Sequence, residues 1–304
     1  MIMDRRKFLK SAALLGAGVG ASPALFQSAL ADERTARVIM AKGEDPAKLV
    51  RAAVEALGGI GNFVSAGQTI VVKPNIGWDR TPEQGANTNP LVVREVVQLC
   101  LEAGVAKVKI FDRTCNDARR CYVSSGIVAA LEELNEPRVE ISQVDERRFR
   151  KATTDDALLL KNWTYYEDVL EADRFINLPV AKHHSASRLT IGMKNVMGVI
   201  GKNRATLHRI LPEALHDMNR VVRSHLTLVD ATRVLIDNGP QGGRLEDVKW
   251  LNRVIASSDV VAADTVAASL FELSAEDLPY LKLAHDKGLG VADMARIELQ
   301  QLEV

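Results

Sequence analysis

The chain has 304 residues, a formal net charge of zero and 47% hydrophobic residues, a length that suits one large domain or two small ones with a sizeable core. The balanced charge argues against a nucleic-acid partner, which requires a basic face. A low aromatic content (5%), together with many Ala, Val and Leu residues, is typical of an α/β protein.

Residues 1–31 have the organisation of an export signal. Arg5-Arg6 precedes an apolar segment at 12–26, and Ala29-Leu30-Ala31 has the small-x-small pattern that signal peptidase cleaves. The arginine pair resembles the twin-arginine signal, whose translocase carries folded proteins. The apolar segment is shorter than the roughly 20 residues of a membrane-spanning helix. We therefore expect a periplasmic or other extracytoplasmic protein that has no stable membrane span after cleavage.

Helical and strand patterns alternate through residues 32–304. The alternation predicts a single α/β domain with a mostly parallel sheet and helices on both faces. The charged, poorly periodic segment 145–168 predicts a small excursion from that domain. Strands are predicted at 36–41, 69–73, 108–111, 138–142, 174–178, 226–229 and 254–257. Helices are predicted at 46–57, 90–104, 122–134, 193–200, 211–223, 260–271 and 279–286.

Charged side chains follow several of the predicted strands. The carboxyl ends of parallel strands share one edge of a sheet, and ligands bind in the crevice at that edge. If these strands are parallel, their terminal residues face a common cleft that suits an anionic substrate, a metal ion, or both. The residues in question are Lys73, Asp112, Lys182, His184 and Asp230.

Each of these residues also has a structural explanation. A lysine after a strand is often a solvated strand end, and Asp112 or Asp230 could cap a following helix. In the pair His183-His184, one imidazole could lie on the surface and the other in the core. A metal site needs three or four suitably spaced ligands, and the sequence has no His-x-His or His-Glu-x-x-His pattern.

Two positions inside predicted helices are also candidates for a functional role. Lys194 lies off the apolar stripe of its helix and one turn before Gly198, where a ligand or another backbone could approach closely. An ordinary amphipathic helix explains this pattern equally well. Asp264 interrupts a run of Ala and Val, and an unpaired buried carboxylate is costly. We expect Asp264 to meet a cation or a metal ion, in either a structural or a catalytic role.

Several familiar motifs are absent or incomplete. The glycine-rich loop 238–243 could hold a phosphate, but it lacks the Lys-Ser/Thr ending of a P-loop. The mature chain contains neither G-x-G-x-x-G nor G-x-S-x-G, which disfavours a nicotinamide-binding Rossmann domain and an esterase. Cys100 fits a core helix, whereas Cys115 and Cys121 could pair after export or remain free thiols. Their spacing does not suit an iron–sulfur cluster.

The order of these segments resembles the domain-of-unknown-function 362 family. The resemblance covers most of the mature chain and rests on segments 71–75, 88–90, 182–184, 193–198, 238–240, 263–267 and 288–290. It implies no defined reaction. Many relatives carry a ferredoxin-like module with two iron–sulfur clusters, which implies redox work. This chain has no such cysteine array, so we expect no iron–sulfur cluster from it alone, and redox work would need a separate partner.

The resemblance and the strand-end argument together assign candidate roles. The family's Lys-x-His motif matches Lys182 and His184, and a further family histidine matches His208. The catalytic candidates are His184, His208 and Lys194. The substrate-binding candidates are Lys73, Asn75, Lys182, Asn195 and Gly239. The candidate metal ligands are Asp112, Asp230 and Asp264.

Two functions are consistent with this set. The first is an exported enzyme, redox- or metal-assisted, that acts on a small anionic substrate. The second is a non-catalytic protein that binds a cofactor or an anion, or serves in maturation. The expected partners are a small anionic molecule, the twin-arginine translocase during export and a separate redox protein, with no nucleic acid. The sequence leaves open whether the protein is an enzyme and which cofactor, such as a metal ion, it uses.

Overall fold

The computed structural model describes residues 34–304, so the predicted export signal lies outside the described residues. The strands in this range are Ala36–Lys42 (β1), Thr69–Pro74 (β2), Lys107–Ile110 (β3), Val139–Ile141 (β4), Phe149–Thr153 (β5), Asn162–Tyr166 (β6), Arg174–Leu178 (β7), Val180–His184 (β8), Arg188–Thr190 (β9), Leu226–Leu235 (β10), Val248–Ser257 (β11) and Ile297–Glu303 (β12). The helices are Pro46–Ala56 (α1), Pro90–Glu102 (α2), Ala118–Ser124 (α3), Ile127–Glu132 (α4), Glu167–Glu171 (α5), Gly192–Asn195 (α6), Leu211–Val221 (α7), Val260–Ser269 (α8) and Pro279–Asp286 (α9).

Ten of these strands form one mixed sheet, in the order β12-β1-β11-β10-β7-β2-β3-β4, with β8 paired to β10 and β9 paired to β8. The pairs β3–β4, β2–β3, β2–β7, β7–β10, β8–β10 and β1–β12 are parallel. Strand β11 is antiparallel to both of its neighbours, and β9 is antiparallel to β8. The mostly parallel sheet expected from the alternating pattern is therefore confirmed.

Helices cover both faces of this sheet. Successive side chains of a strand point to opposite faces, and on β2 Val71 belongs to one hydrophobic core while Ile70 and Val72 belong to the other. Residues of α7, α8 and α9 pack in the first core, and residues of α1, α2 and α4 pack in the second. Because helices cover both faces of the sheet, a cleft is expected at the edge where the carboxyl ends of β2 and β3 lie.

Helix starts follow the capping residues in the sequence. Asp45, Asn89 and Asp259 each accept a hydrogen bond from a backbone N–H in the first turn of the following helix, as is usual for an N-cap side chain. The helix predicted at 122–134 is instead two helices, α3 and α4. They are separated at Gly126, whose φ of 72° is left-handed and cannot continue an α-helix.

Further differences from the predicted elements concern the strands. Strand β10 has ten residues rather than four, so Asp230 lies inside the strand and not at its end. Lys182 lies inside β8 and His184 is its last residue, because the chain resumes strand pairing after Pro179 instead of turning into a loop. The excursion at 145–168 contains an antiparallel pair, β5 and β6. Strands β9 and β12 were not predicted.

Thr35–Val304 forms one compact unit. Within residues 34–304, no helix is both long and apolar enough to cross a membrane.

Candidate active site

A cavity of about 320 Å³ lies where β2 and β3 end and where β8 and α6 approach them. It gathers eight of the residues singled out from the sequence, although they come from distant parts of the chain. These residues are Lys73, Asn75, Asp112, Lys182, His184, Lys194, Asn195 and His208. Gly239, Asp230 and Asp264 are not among its lining residues.

A buried ion pair forms the floor of the cavity. Lys73 is 1% exposed, and its Nζ lies 2.9 Å from Asp112 Oδ1 and donates a 2.7 Å hydrogen bond to Asn195 Oδ1. The other carboxylate oxygen of Asp112 accepts a 2.7 Å hydrogen bond from Ile76 N. Burial lowers the pKa of Lys73, while the neighbouring carboxylate opposes that shift. Each side chain of the pair therefore depends on the other to compensate its charge.

Asn195 connects this pair to the sheet. Its Oδ1 accepts hydrogen bonds from Lys73 Nζ and Asn75 Nδ2, and its Nδ2 donates to Lys73 O and Asn177 Oδ1. An amide side chain offers two donors and one acceptor oxygen with two lone pairs, so Asn195 is fully engaged. It positions α6 over β2 and β7 and has no free group for a ligand, which differs from its predicted role in substrate binding.

Lys182 is the second buried lysine of the cavity. Its Nζ donates to Asn75 Oδ1 at 3.1 Å and makes a short contact with Ala86 O. Burial lowers the pKa of Lys182 to about 7. Because an ammonium group has three donors, Lys73 and Lys182, with two contacts each, retain one N–H apiece.

Lys194 differs from the other two lysines because its Nζ has no hydrogen-bond or ion-pair partner among residues 34–304. Its side chain is nevertheless 8% exposed and lines the cavity. Burial lowers the pKa of Lys194 to about 8. Burying an ammonium group without a partner is costly, in agreement with the lowered pKa of Lys194.

The helix that carries Lys194 is held at its start by Asp264. The two carboxylate oxygens accept hydrogen bonds from Gly192 N at 2.7 Å and Met193 N at 2.8 Å. Burial raises the pKa of Asp264 to about 7. Asp264 therefore meets backbone N–H groups, not the cation or metal ion expected from the sequence, and it acts as a positioning residue for α6.

Two neutral imidazoles stack at the mouth of the cavity. The rings of His184 and His208 lie 5.5 Å apart between centroids with an interplanar angle of 22°. His184 Nδ1 accepts a hydrogen bond from Ala186 N, which assigns its proton to Nε2. His208 Nδ1 lies 3.1 Å from Ala205 O, which assigns its proton to Nδ1 and leaves Nε2 as a base. Burial lowers the pKa of His184 to about 3 and also lowers the pKa of His208.

Gly198 allows the ion pair to sit where it does. A Cβ atom at this position would overlap Asp112 Oδ1 and would lie 2.5 Å from Lys73 Nζ. The sequence indicated a close approach at Gly198, and the groups that approach are these two side chains. Only a glycine allows the backbone of the segment after α6 to lie against the pair.

Two residues of the cavity were missed by the sequence analysis as functional candidates. Cys115 is exposed and free, and its Sγ accepts a 3.3 Å hydrogen bond from Arg204 Nη2. Arg204 also donates to the carbonyl oxygens of Arg113, Thr114 and Met197, so it fixes the loop that carries Cys115. The Cys115–Cys121 pairing left open by the sequence is absent from the described residues, in which both thiols are free.

The predicted metal site is not supported. Asp230 accepts hydrogen bonds from Asn89 N and from the backbone and hydroxyl of Thr232, so it anchors the start of α2. Asp112 pairs with Lys73, and Asp264 caps α6, so the three carboxylates serve three separate structural tasks. In the part of the chain that the structure describes, no group of three His, Cys, Asp or Glu side chains could share a metal ion.

Gly239 has a structural role near the cavity. Its N–H donates to His183 Nδ1 at 3.1 Å, and an added Cβ would overlap His183 O. The glycine lets the 238–243 loop pack against β8 and brings the next residue, Pro240, to the cavity. The predicted role of Gly239 in substrate binding stays a prediction.

Comparison with known proteins gives three findings. The family described as Domain of unknown function (DUF362) matches residues 70–269. A thylakoid-associated protein of Synechocystis sp. is 31% identical over 252 residues, which cover 79% of this chain and 74% of that protein. The lactate racemase apoprotein of Thermoanaerobacterium thermosaccharolyticum has a TM-score of 0.44 and 13% identity, over 73% of this chain and about half (54%) of its own. At these values the last similarity bears on neither substrate nor reaction.

Proposed function

The chain belongs to the family described as Domain of unknown function (DUF362), and that description names no reaction. We propose from the cavity itself that the protein is an enzyme that binds a small anion and moves protons to and from it. The observation that carries the proposal is Lys194, whose ammonium group is buried against the cavity with no partner among the described residues. A bound anion would supply the missing charge and hydrogen bonds.

The charge balance of the cavity supports an anionic ligand. Lys73, Lys182 and Lys194 line it, and Asp112 is the one carboxylate among its lining residues. That carboxylate is already paired with Lys73. One remaining N–H on each of Lys73 and Lys182, and three on Lys194, are available to a ligand. The volume of about 320 Å³ lies at the lower end of the range of small-molecule sites.

The imidazoles and Lys194 supply proton transfer. His208 Nε2 is unprotonated when Nδ1 donates to Ala205 O, and the lowered pKa of His208 keeps the ring neutral, so it can accept a proton from a bound molecule. Lys194, with a pKa lowered to about 8, can return one near neutral pH, where a catalytic acid is most effective. His184 offers its Nε2–H as a hydrogen-bond donor.

We base the proposal on proton transfer and not on metal assistance. A catalytic metal ion needs about three protein ligands, and residues 34–304 do not bring three such side chains together. A separate redox partner, implied by the family resemblance, remains a prediction that no contact of the described residues tests.

A non-catalytic anion-binding protein is the second candidate. The hydrogen bonds of Asn75 and Asn195 with the lysines and with each other favour this candidate, because they hold the binding groups in a rigid cradle. Exchange of the methyl protons of pyruvate for deuterium in D2O, followed by NMR, separates the two candidates. An enzyme of the proposed kind accelerates the exchange, whereas a cradle binds pyruvate and leaves the exchange at its background rate.

The first test is binding of small anions to the Lys194→Met variant. We expect acetate, pyruvate or inorganic phosphate to bind the unmodified protein with one-to-one stoichiometry in isothermal titration calorimetry at pH 7. Loss of charge-assisted hydrogen bonds costs about 1.5–3 kcal/mol, which corresponds to roughly 10- to 100-fold weaker binding by Lys194→Met. Raising the pH to 9 should weaken binding to the unmodified protein by more than about tenfold, because Lys194 and Lys182 both lose their protons between pH 7 and 9.

Lys202→Met is the matched control for that titration. Lys202 is exposed, lies over the Trp163 ring and is not among the lining residues of the cavity, so its removal changes the net charge equally. Binding should survive in this variant. Equal affinities for Lys194→Met and the unmodified protein, or no binding of any of the three anions, would contradict the proposal.

We also propose that the chain is exported in folded form by the twin-arginine route. The support is the arginine pair, the apolar segment and the small-x-small site within residues 1–31. Cell fractionation checks this proposal: the processed chain is expected in the extracytoplasmic fraction, and an unprocessed cytoplasmic chain would count against it.

A further inference from the structure

Cys115 is a thiol that the proposed proton transfer does not use. Its side chain is exposed and lines the same cavity as Lys194. Arg204 Nη2 donates a hydrogen bond to Sγ at 3.3 Å. The other two cysteines, Cys100 and Cys121, are buried. Among residues 34–304, Cys115 is therefore the thiol placed to meet a ligand.

The surroundings of Cys115 contain an independent indication of a ligand. Lys194 is more than nine-tenths buried, lines this cavity and has no partner for its Nζ in the described chain. Lys73 and Lys182 line the same cavity as Cys115 and Lys194. The cavity thus has both a nucleophilic sulfur and the unpartnered ammonium group of Lys194 in its lining.

We propose that Cys115 Sγ is a catalytic nucleophile that adds to an electrophilic carbon next to the carboxylate of a small 2-oxo acid. The inference rests on the proposed function, because Lys194 must hold the carboxylate for the neighbouring carbon to reach the thiol. A 2-oxo acid carries the negative charge that Lys194 would bind and a carbonyl carbon that a thiolate attacks.

The step is an addition that needs no other reactant. The S–C bond forms as the electron pair of the C=O π bond moves to the carbonyl oxygen. The proton of the thiol is taken up by a base, for which His208 Nε2 is suited, and ends on that oxygen. The product is a tetrahedral thiohemiketal that contains all atoms of the thiol and the acid. Nothing is oxidised or reduced, and no group leaves.

Selective alkylation tests the placement of the thiol. Iodoacetate and iodoacetamide form the same type of S–C bond with loss of iodide, but only iodoacetate carries a carboxylate. The rate of alkylation of Cys115 by iodoacetate, divided by its rate with iodoacetamide, is measured by mass spectrometry of the modified protein. We expect this ratio to be at least about ten times the same ratio for glutathione. In Lys194→Met the iodoacetate rate should fall about tenfold while the iodoacetamide rate is unchanged, and Lys202→Met should leave both rates as they are.

Protection from alkylation tests the substrate class. Pyruvate and propanoate have the same charge and nearly the same size, but only pyruvate has the carbonyl. We expect pyruvate to slow the alkylation of Cys115 by iodoacetamide more strongly than propanoate at equal concentration. Equal protection by the two acids would overturn the addition step.

The calorimetric titration distinguishes failure of this inference from failure of the proposed function. If the iodoacetate preference at Cys115 equals that of glutathione while acetate still binds in a Lys194-dependent manner, the cavity binds anions and the thiol is not its nucleophile. If acetate, pyruvate and phosphate all fail to bind, the proposed function itself is wrong. Cys115→Ser should retain acetate binding, because Lys194 and not the thiol holds the carboxylate.

Discussion

Replacing Asp112 by asparagine is expected to lower the free energy of unfolding by about 3–5 kcal/mol, because it leaves the Lys73 ammonium buried without its counter-charge. Lys73 is 1% exposed and Asp112 is 3% exposed, so water from the cavity would replace the lost carboxylate only in part. The asparagine oxygen can still accept from Ile76 N, but its amide N–H group then faces the ammonium group. Urea or guanidinium denaturation at pH 7 measures the change.

A surface pair gives the matched control. Lys107 and Glu140 lie on the adjacent strands β3 and β4 with Nζ and Oε2 2.6 Å apart, but their side chains are 43% and 40% exposed. Glu140→Gln should cost no more than about 1 kcal/mol. The double variant Lys73→Met/Asp112→Asn should be more stable than Asp112→Asn alone, since it removes the uncompensated charge. A loss for Asp112→Asn as small as that for Glu140→Gln would contradict the role assigned to this pair.

Gly198→Ala is expected to have the second large effect. The added methyl group would overlap Asp112 Oδ1 and lie 2.5 Å from Lys73 Nζ, so the ion pair or the segment after α6 must move. Overpacking of this kind costs about 1–3 kcal/mol, and separation of the pair adds to it. The same displacement should weaken anion binding, because Gly198 and Lys194 lie in one continuous segment. Denaturation and calorimetry with acetate measure the two effects.

Gly61→Ala is the control for that substitution. Gly61 has no heavy atom within 4 Å of the position of an added Cβ, so an alanine there has room. We expect its stability and its acetate affinity to match those of the unmodified protein. A Gly198→Ala protein that behaves like Gly61→Ala would show that the ion pair does not require this glycine.

The fold could be predicted from the sequence where local signals are strong. The helix starts at Asp45, Asn89 and Asp259 follow from capping side chains, and the buried strand at β2 follows from its run of β-branched residues. The length of β10 could not be predicted, because its second half is defined by pairing with β8 and β11 and not by its own pattern. For that reason Asp230 was placed at a strand end that does not exist.

The lysines and histidines of the site could be predicted from the sequence, but the role of each residue could not. Sequence patterns point to Lys73 near the end of β2, to Lys182 just after the predicted strand 174–178 and to Lys194 in a predicted helix. Which of them lacks a partner depends on where the Asn75 and Asn195 amides lie, and only tertiary packing determines that. Cys115 was assigned no role, since its loop reaches the cavity through distant contacts of Arg204.

The anion site is tested most directly by locating bromide in crystals of the protein by anomalous diffraction. A bromide peak in contact with Lys194 Nζ in the unmodified protein, and no peak at that position in crystals of Lys194→Met, is the result we expect. Bromide bound only on the outer surface, with the space in front of Lys194 filled by water in both proteins, would contradict the claim that this cavity receives an anion.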